Sequence, residues 1–411
     1  MKRSLATAIA LVLALAGCTA PPTDPELEPG RWRAWLDSPG GELPFGLELS
    51  AGEAGWTAAI LNGEERLTIE RVTVAGSAVA LDIDHFDAHI EATIDSSTRL
   101  TGRWWKTGKL GAISELPFHA VHGETQRFSA LAGETDGAGV EGRWSVRFAG
   151  EEDEAVAEFA SGAGNRVTGT FLTTTGDYRF LAGSFEGRRL RLSTFDGAHA
   201  FLFDAELGDD GTLTGDFWSR ESWHDTWTAT RAPEVALDAA TEQIAWVGGV
   251  PLSEIVYPDL DGNPRALDDA AFAGKARVLE VFGSWCPNCN DATSYLVDLH
   301  ERYRERGLSI VGLAFELTGD FDRDAKQLRI YRDHHGIEYP LLVAGTSDKD
   351  EASAVFPLIE RVKSYPTTIF LHADGRVHTV YSGFSGPATG DAHERLKEQF
   401  ERTIEELLGE E

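Results

Sequence analysis

The sequence predicts a multidomain chain in which a duplicated all-β region is followed by an α/β domain. Three observations point there. Nine of the eleven tryptophans lie between Gly30 and Arg231, in a glycine-rich stretch with alternating apolar and polar residues and little helical periodicity. Inside it, Gly30-Arg31-Trp32 recurs as Gly142-Arg143-Trp144, and Leu100-Thr101-Gly102-Arg103-Trp104-Trp105 recurs as Leu213-Thr214-Gly215-Asp216-Phe217-Trp218, at an offset of about 112 residues. After residue 251, short β-branched apolar runs are interleaved with segments of helical spacing, the pattern of a sheet flanked by helices.

At the start, Lys2 and Arg3 precede an apolar run from Leu5 to Ala16 and the small residues before Cys18, the order of a secretory signal. The run is too short to span a bilayer as a mature helix. Leu15-Ala16-Gly17-Cys18 is similar to a bacterial lipobox, which implies that Cys18 carries lipid as the first mature residue; ordinary signal cleavage is the alternative. Residues 1–17 are expected to be a lipoprotein signal peptide, and 18–29, with four prolines and no periodicity, a tether. Thr19 after the cysteine is compatible with outer-membrane sorting, so the expected location is the bacterial envelope, lipid-anchored and facing the periplasm.

With 411 residues and 42% hydrophobic content, the chain can build two or three cores. Its net charge of −30 argues against nucleic acid and against electrostatic docking on anionic lipid, leaving the lipid on Cys18 as the attachment to a membrane. Assigning one of the three cysteines to lipid and two to a redox pair leaves none for a structural disulfide.

In the β region, His89 to Asp95, Arg189 to Ser193 and Phe201 to Leu207 alternate as half-buried strands do. The copies, 30–123 and 139–231, keep their two motifs 72 and 73 residues apart. They are read as related antiparallel units, packed together or closing one larger sandwich or barrel. No metal-spaced His/Asp cluster is visible, and His85, His89, His119 and His122 are expected to be structural. An exposed aromatic face that recruits a client or a glycan is an alternative use of the tryptophans.

Residues 232–250 read as a linker and 251–411 as the α/β domain. Val256 to Pro264 gives a strand and turn, and Leu267 to Phe272 a short helix capped by an aspartate. Arg277 to Phe282 is a short, nearly all-apolar run, as in a strand buried on both faces. A turn at Gly283-Ser284 leads into Trp285-Cys286-Pro287-Asn288-Cys289 and a helix through about Arg306. Strands follow at Leu308 to Phe315 and Tyr339 to Val343, with helices at Phe321 to His334 and Glu351 to Val362. Thr367 to Leu371 and Val377 to Tyr381 form a hairpin, and Asp391 to Leu408 the last helix.

Pro287 suits the first helical position, where a missing N–H costs nothing. A thiolate on Cys286 would then face unpaired backbone N–H groups and the positive end of the helix dipole, which lower a thiol pKa. Cys286 is therefore the expected nucleophile, and Cys289, one turn later, the resolving thiol. A zinc site would need about four ligands, and with no fourth cysteine and an adjacent His334-His335 pair the metal or static-bridge reading is the weaker one, so no metal is expected. The Cys286–Cys289 disulfide is itself the redox group; no flavin or nicotinamide motif accompanies it, so no cofactor is expected.

Trp285 to Cys289, together with Tyr365-Pro366-Thr367-Thr368-Ile369-Phe370-Leu371 before Asp374-Gly375-Arg376-Val377, resembles the thioredoxin fold and, within it, the TlpA/ResA-like thiol–disulfide oxidoreductases of the AhpC/TSA–redoxin group. The resemblance covers roughly the last 160 residues. It implies a thioredoxin-like domain with a cis peptide bond at Pro366 beside the cysteines, and a substrate groove formed by Trp285, Pro287, Asn288, Tyr365 and Thr367. At the position of Glu280 thioredoxins carry a buried acid beneath the site, whereas TlpA/ResA-like proteins often have an amide there; Glu280 is thus a candidate proton relay to Cys289, with a structural acid paired with a Lys or Arg as the alternative. ResA-like members carry a glutamate where this chain has Ala292, and Asp291 is only an adjacent substitute. By analogy the pair is expected to reduce disulfides of client proteins or small molecules and to be re-reduced by an envelope electron-donor thiol protein. Two alternatives stand beside this. A peroxiredoxin-like antioxidant peroxidase would place a proline and a Thr or Ser ahead of Cys286, where Leu279 and Gly283 stand. An envelope ligand-binding protein would use the redox domain only as a sensor.

Overall fold

The computed structural model describes residues 27–69, 71–129 and 137–409. The signal peptide, most of the tether and Cys18 lie outside the described residues. The α/β domain follows two barrel-like sheets, and the two β copies form two sheets, not one shared barrel.

Among the described residues each copy contributes nine strands, from β1 (Gly30–Ser38) to β9 (Ile113–His122) and from β10 (Gly142–Phe148) to β18 (Trp223–Arg231). The first sheet is an antiparallel meander brought round on itself by β1 pairing with β9. In the second, β10 pairs with β18, and β12 (Arg166–Thr173) pairs with both β11 (Ala155–Ser161) and β14 (Leu181–Glu186), which closes a ring. The duplication persists in side-chain detail. Trp32 and Trp144 are fully buried, and each donates its indole N–H to a carbonyl four residues earlier, Glu28 at 3.2 Å and Val140 at 2.9 Å. Gly30 and Gly142, two residues before them, have φ of 128° and 111°, which is why both motifs begin with glycine.

One strand departs from the repeat. Its counterpart in the first copy is β4 (Glu65–Ile69), whereas in the second it shrinks to β13 (Gly176–Asp177), paired only with β12. Residues 174–180 stay tied to β12 through Gly176–Asp177 and through the Tyr178 N–H on the Phe171 carbonyl at 2.9 Å, and the turn they make faces the C-terminal domain.

The tryptophans fill the barrels. Trp32, Trp104, Trp144 and Trp227 are among the largest fully buried side chains, and Phe171, Phe203 and Phe217 stack in the second core with centroids 4.5–4.6 Å apart. Trp35, Trp56, Trp105 and Trp218 are half-buried, and among the described residues Trp223 is the one aromatic with a large exposed surface, so a broad exposed aromatic recruitment face is not formed. The expectation of no His/Asp cluster is also corrected. Asp82, Asp84 and His89 converge, but Arg71 already pairs with Asp82 at 3.1 Å and with Asp84 at 2.6 Å, and His89 holds Asp82 at 2.6 Å.

The C-terminal sheet runs β23 (Leu341–Thr346), β22 (Leu308–Glu316), β21 (Ala276–Phe282), β24 (Thr367–His372), β25 (Val377–Ser382). The first three are parallel to one another and the last two antiparallel, with β21 wholly buried at the centre. Around it lie α1 (Pro287–Tyr303), α2 (Phe321–His335), α3 (Lys349–Val355) and α4 (Asp391–Gly409). Three boundaries differ from the sequence reading. Arg304–Arg306 is a 3-10 turn after α1, closed by Gly307 at φ 111°. The strand read from Tyr339 begins only at Leu341, because Pro340 offers no N–H to the ladder. The helix read over 351–362 is α3, capped by Asp348, which accepts from the N–H groups of Asp350 and Glu351; Pro357 stops it early. Residues 245–247 of the linker bond to 358–360 and lie against the redox domain.

The three units meet at Arg179. Its guanidinium pairs with Glu65 of the first barrel at 2.9 Å, with Asp196 of the second at 3.5 Å, and with Asp291 on α1. It is almost wholly buried, so removing it would strand charges away from water. Arg179→Met is expected to lower stability by about 3–5 kcal/mol in denaturant unfolding; a loss below about 1 kcal/mol, the level of a surface pair, would refute this role.

Candidate active site

β21 ends at Phe282, and the turn through Gly283 and Ser284 carries Cys286 to the N-cap of α1. Ser284 is held by Glu316 at the end of β22, whose carboxylate accepts from the Ser284 N–H at 2.9 Å and its hydroxyl at 2.7 Å. Glu316 is fully buried, and burial pushes its pKa up to about 7 against the two Ser284 hydrogen bonds. Sequence reading missed it because it joins the site from a neighbouring strand; its place at the carboxyl end of a parallel strand was the available signal.

Cys286 Sγ accepts from the Cys289 N–H at 3.3 Å and lies 3.5 Å from the Tyr365 carbonyl oxygen. Burial opposes the Cys286 thiolate. The Cys289 thiol, the N–H groups of Cys289 and Asn288, and the positive charge of Arg179 outweigh it and bring the pKa below that of an ordinary thiol. Cys289 is the opposite case: burial, its hydrogen bond to Cys286 and the neighbouring negative charge hold it well above the usual range. The two thiols are thus unequal, with the ionisable one nearer the surface, Cys286 at 7% exposure and Cys289 at 0%.

The remaining sequence-predicted residues divide. Tyr365–Pro366 is cis, and Tyr365 lies edge-on to Trp285 at 5.5 Å. The Trp285 indole N–H is spent on the Phe315 carbonyl at 2.9 Å, so this ring walls the site from a fixed position. Pro287 is buried, while Asn288 is half-buried and donates to the Asp177 carbonyl oxygen at 3.2 Å. Thr367 corrects its expectation: it is fully buried on β24 and its hydroxyl donates to the Ser364 carbonyl at 2.9 Å, facing inward rather than into a groove. Asp291 is taken up by Arg179.

Glu280 lies fully buried beneath the pair. Thr293 Oγ1 donates to it at 3.4 Å, and among the described residues no Lys or Arg pairs with it. Burial raises its pKa to about 8, with the negative charge of Cys286 adding to the rise. The acid is therefore neutral at pH 7 and able to give or take a proton near it.

This arrangement, two unequal thiols on a strand–turn–helix with a buried acid below, is that of a thioredoxin-like redox domain. Residues 249–380 match the AhpC/TSA family, about a third of the chain. The chain is 25% identical over 152 residues to the thiol-disulfide oxidoreductase ResA of Bacillus thuringiensis subsp. konkukian, covering 37% of this chain and 73% of that protein. It is 24% identical over 143 residues to ResA of Geobacillus thermodenitrificans, covering 35% and 74%. A solved thiol:disulfide interchange protein of Chlorobium tepidum is similar over 40% of this chain and 99% of its own, at 23% identity and a TM-score of 0.30. The C-terminal region is an AhpC/TSA domain of the thiol–disulfide oxidoreductase class, as the two motifs imply; the family match begins at residue 249, after the barrels.

Glu280 keeps its proton to about pH 8 in the fold but only to about 4.5 when unfolded. The folded state therefore binds more protons across this window, and stability falls as pH rises through it, by up to about 1.4 kcal/mol per pH unit. Glu280→Gln is expected to flatten that slope in unfolding midpoints taken from pH 5 to 8. An unchanged slope would mean that the acid is not held neutral.

Proposed function

We propose that the chain is an exported, lipid-anchored thiol–disulfide oxidoreductase of the bacterial envelope that reduces disulfides through Cys286 and Cys289. The inequality of the two thiols at the start of α1 carries this reading, because it assigns each a step. The Cys286 thiolate attacks one sulfur of the substrate disulfide. The S–S bond breaks, the departing sulfur leaves as a thiolate that takes a proton from solvent, and a mixed disulfide remains on Cys286. Cys289 then attacks Cys286 Sγ, closing the intramolecular disulfide and releasing the second substrate thiol. Two electrons pass to the substrate, and an envelope thiol protein restores the pair.

Cys289 needs help, since its pKa lies far above neutrality. Glu280, beneath it and titrating near 8, is the group suited to take its proton when charged and to return one when neutral. Electron flow toward the substrate follows the analogy with ResA-like relatives. The family match brings no peroxidase pattern with it, because Leu279 and Gly283 stand where that chemistry needs Pro and Thr or Ser.

Cys286→Ser is expected to lower disulfide exchange roughly 10³-fold or more, as loss of a nucleophile does. Cys289→Ser keeps the first step and accumulates a mixed disulfide on Cys286, visible by mass spectrometry as an adduct. Exchange that survives Cys286→Ser, or an adduct on Cys289 in the wild type, would contradict the assignment.

A further inference from the structure

The turn around β13 of the second barrel lies against the redox site. Asn288, inside the Cys-x-x-Cys motif, donates to the Asp177 carbonyl at 3.2 Å, and a methyl built on Gly176 would overlap the Asn288 amide. On the other side, a methyl on Gly383 would come within 2.9 Å of the Thr175 backbone. The Asp177 carboxylate accepts from the Gly386 N–H at 2.6 Å. The turn is thus wedged between the start of α1 and the loop after β25, with Arg179 pinning its end to Asp291.

Its backbone is built for that place. Gly176 has φ 147° and Arg179 φ 62°, a left-handed conformation that a non-glycine residue seldom takes, and Asp177 Oδ1 caps the Arg179 N–H at 2.8 Å. With this turn seated, Cys286, Pro287, Tyr365 and Pro366 are all buried. A folded protein would have to present its disulfide through backbone already standing there.

Beside the turn a cavity of about 430 Å³ remains between barrel and redox domain. Thr173, Thr175 and Tyr178 line one side, and Lys349, Arg361 and Lys363 the other. Lys363 lies two residues before Tyr365, whose carbonyl touches Cys286, and Thr175 is the residue that meets Gly383. Acids 151–154 share the rim, and Asp153 pairs with Lys363 at 2.8 Å. Such a lining offers partners to both the carboxylate and the ammonium groups of an amino-acid-derived disulfide.

We propose that residues 173–179 determine substrate class: they fill the groove that an extended protein segment would need, leaving Cys286 to small amino-acid or peptide disulfides, for whose charged groups the neighbouring cavity offers partners. This rests on the thiol–disulfide exchange reading and narrows it. The chemistry is the same two-step transfer, with two electrons and two protons delivered to the small disulfide.

The test compares two substrates of the reduced full-length protein, oxidised glutathione and insulin. Asp177→Ala removes the bond to Gly386 from the barrel side. Gly386→Ala, at φ −73° where any residue fits, crowds Asp177 and Asp291 from the redox side while every barrel residue keeps its identity. Wild type should exchange faster with glutathione disulfide than with insulin. Both variants should raise the insulin rate about tenfold, the population shift expected on losing one charged hydrogen bond, and alter the glutathione rate less than about twofold. If wild type reduces insulin as fast as glutathione disulfide, or the ratio is unmoved in both variants, the turn is not a specificity element. If the wild type exchanges with neither substrate, the exchange reading itself fails and this proposal with it.

Discussion

Arg179 is the interaction on which the rest depends. Three ion pairs from one buried guanidinium tie a strand of the first barrel, a loop of the second and the first helix of the redox domain. A buried charge is tolerated only when its partners are in place, so the network specifies an arrangement more than it adds stability. The consequence reaches the chemistry, because the same positive charge favours the Cys286 thiolate. The barrels are therefore part of the active site's electrostatics.

Around that node the redox domain concentrates its unusual groups in one column. Glu316 fixes the turn before Cys286, Cys286 caps α1, Cys289 lies one turn deeper, and Glu280 sits beneath. Desolvation acts on all four, and what separates them is which hydrogen bonds oppose it. Cys286 has backbone N–H donors and becomes the better thiolate, while for Glu280 the hydroxyls of Thr293 and Tyr339 do not outweigh burial and the acid stays protonated. One burial term, unevenly compensated, thus gives a nucleophile, a resolving thiol and a proton store.

What the sequence made legible was local. The cysteine motif, its strand and helix, the proline loop and the β duplication all rest on short-range spacing, and the repeat holds down to the paired indole bonds of Trp32 and Trp144. What it hid was long-range. Glu316 and Asp177 reach the site from 30 residues beyond Cys286 and 109 before it, and no periodicity marks them. The shortened strand at Gly176–Asp177 could have been found as the place where the second copy stops matching the first, but its contact with Asn288 could not. Thr367 was misplaced for a similar reason: adjacency to the proline loop gives no sign of which face of β24 it takes.

The most direct measurement is the equilibrium potential of the Cys286–Cys289 pair against glutathione buffers, followed by the fluorescence of Trp285, which stands next to the pair. A value near or below about −270 mV is predicted, that of a reductant for oxidised envelope thiols. A value near about −120 mV would make the pair a disulfide donor and contradict the direction of electron flow.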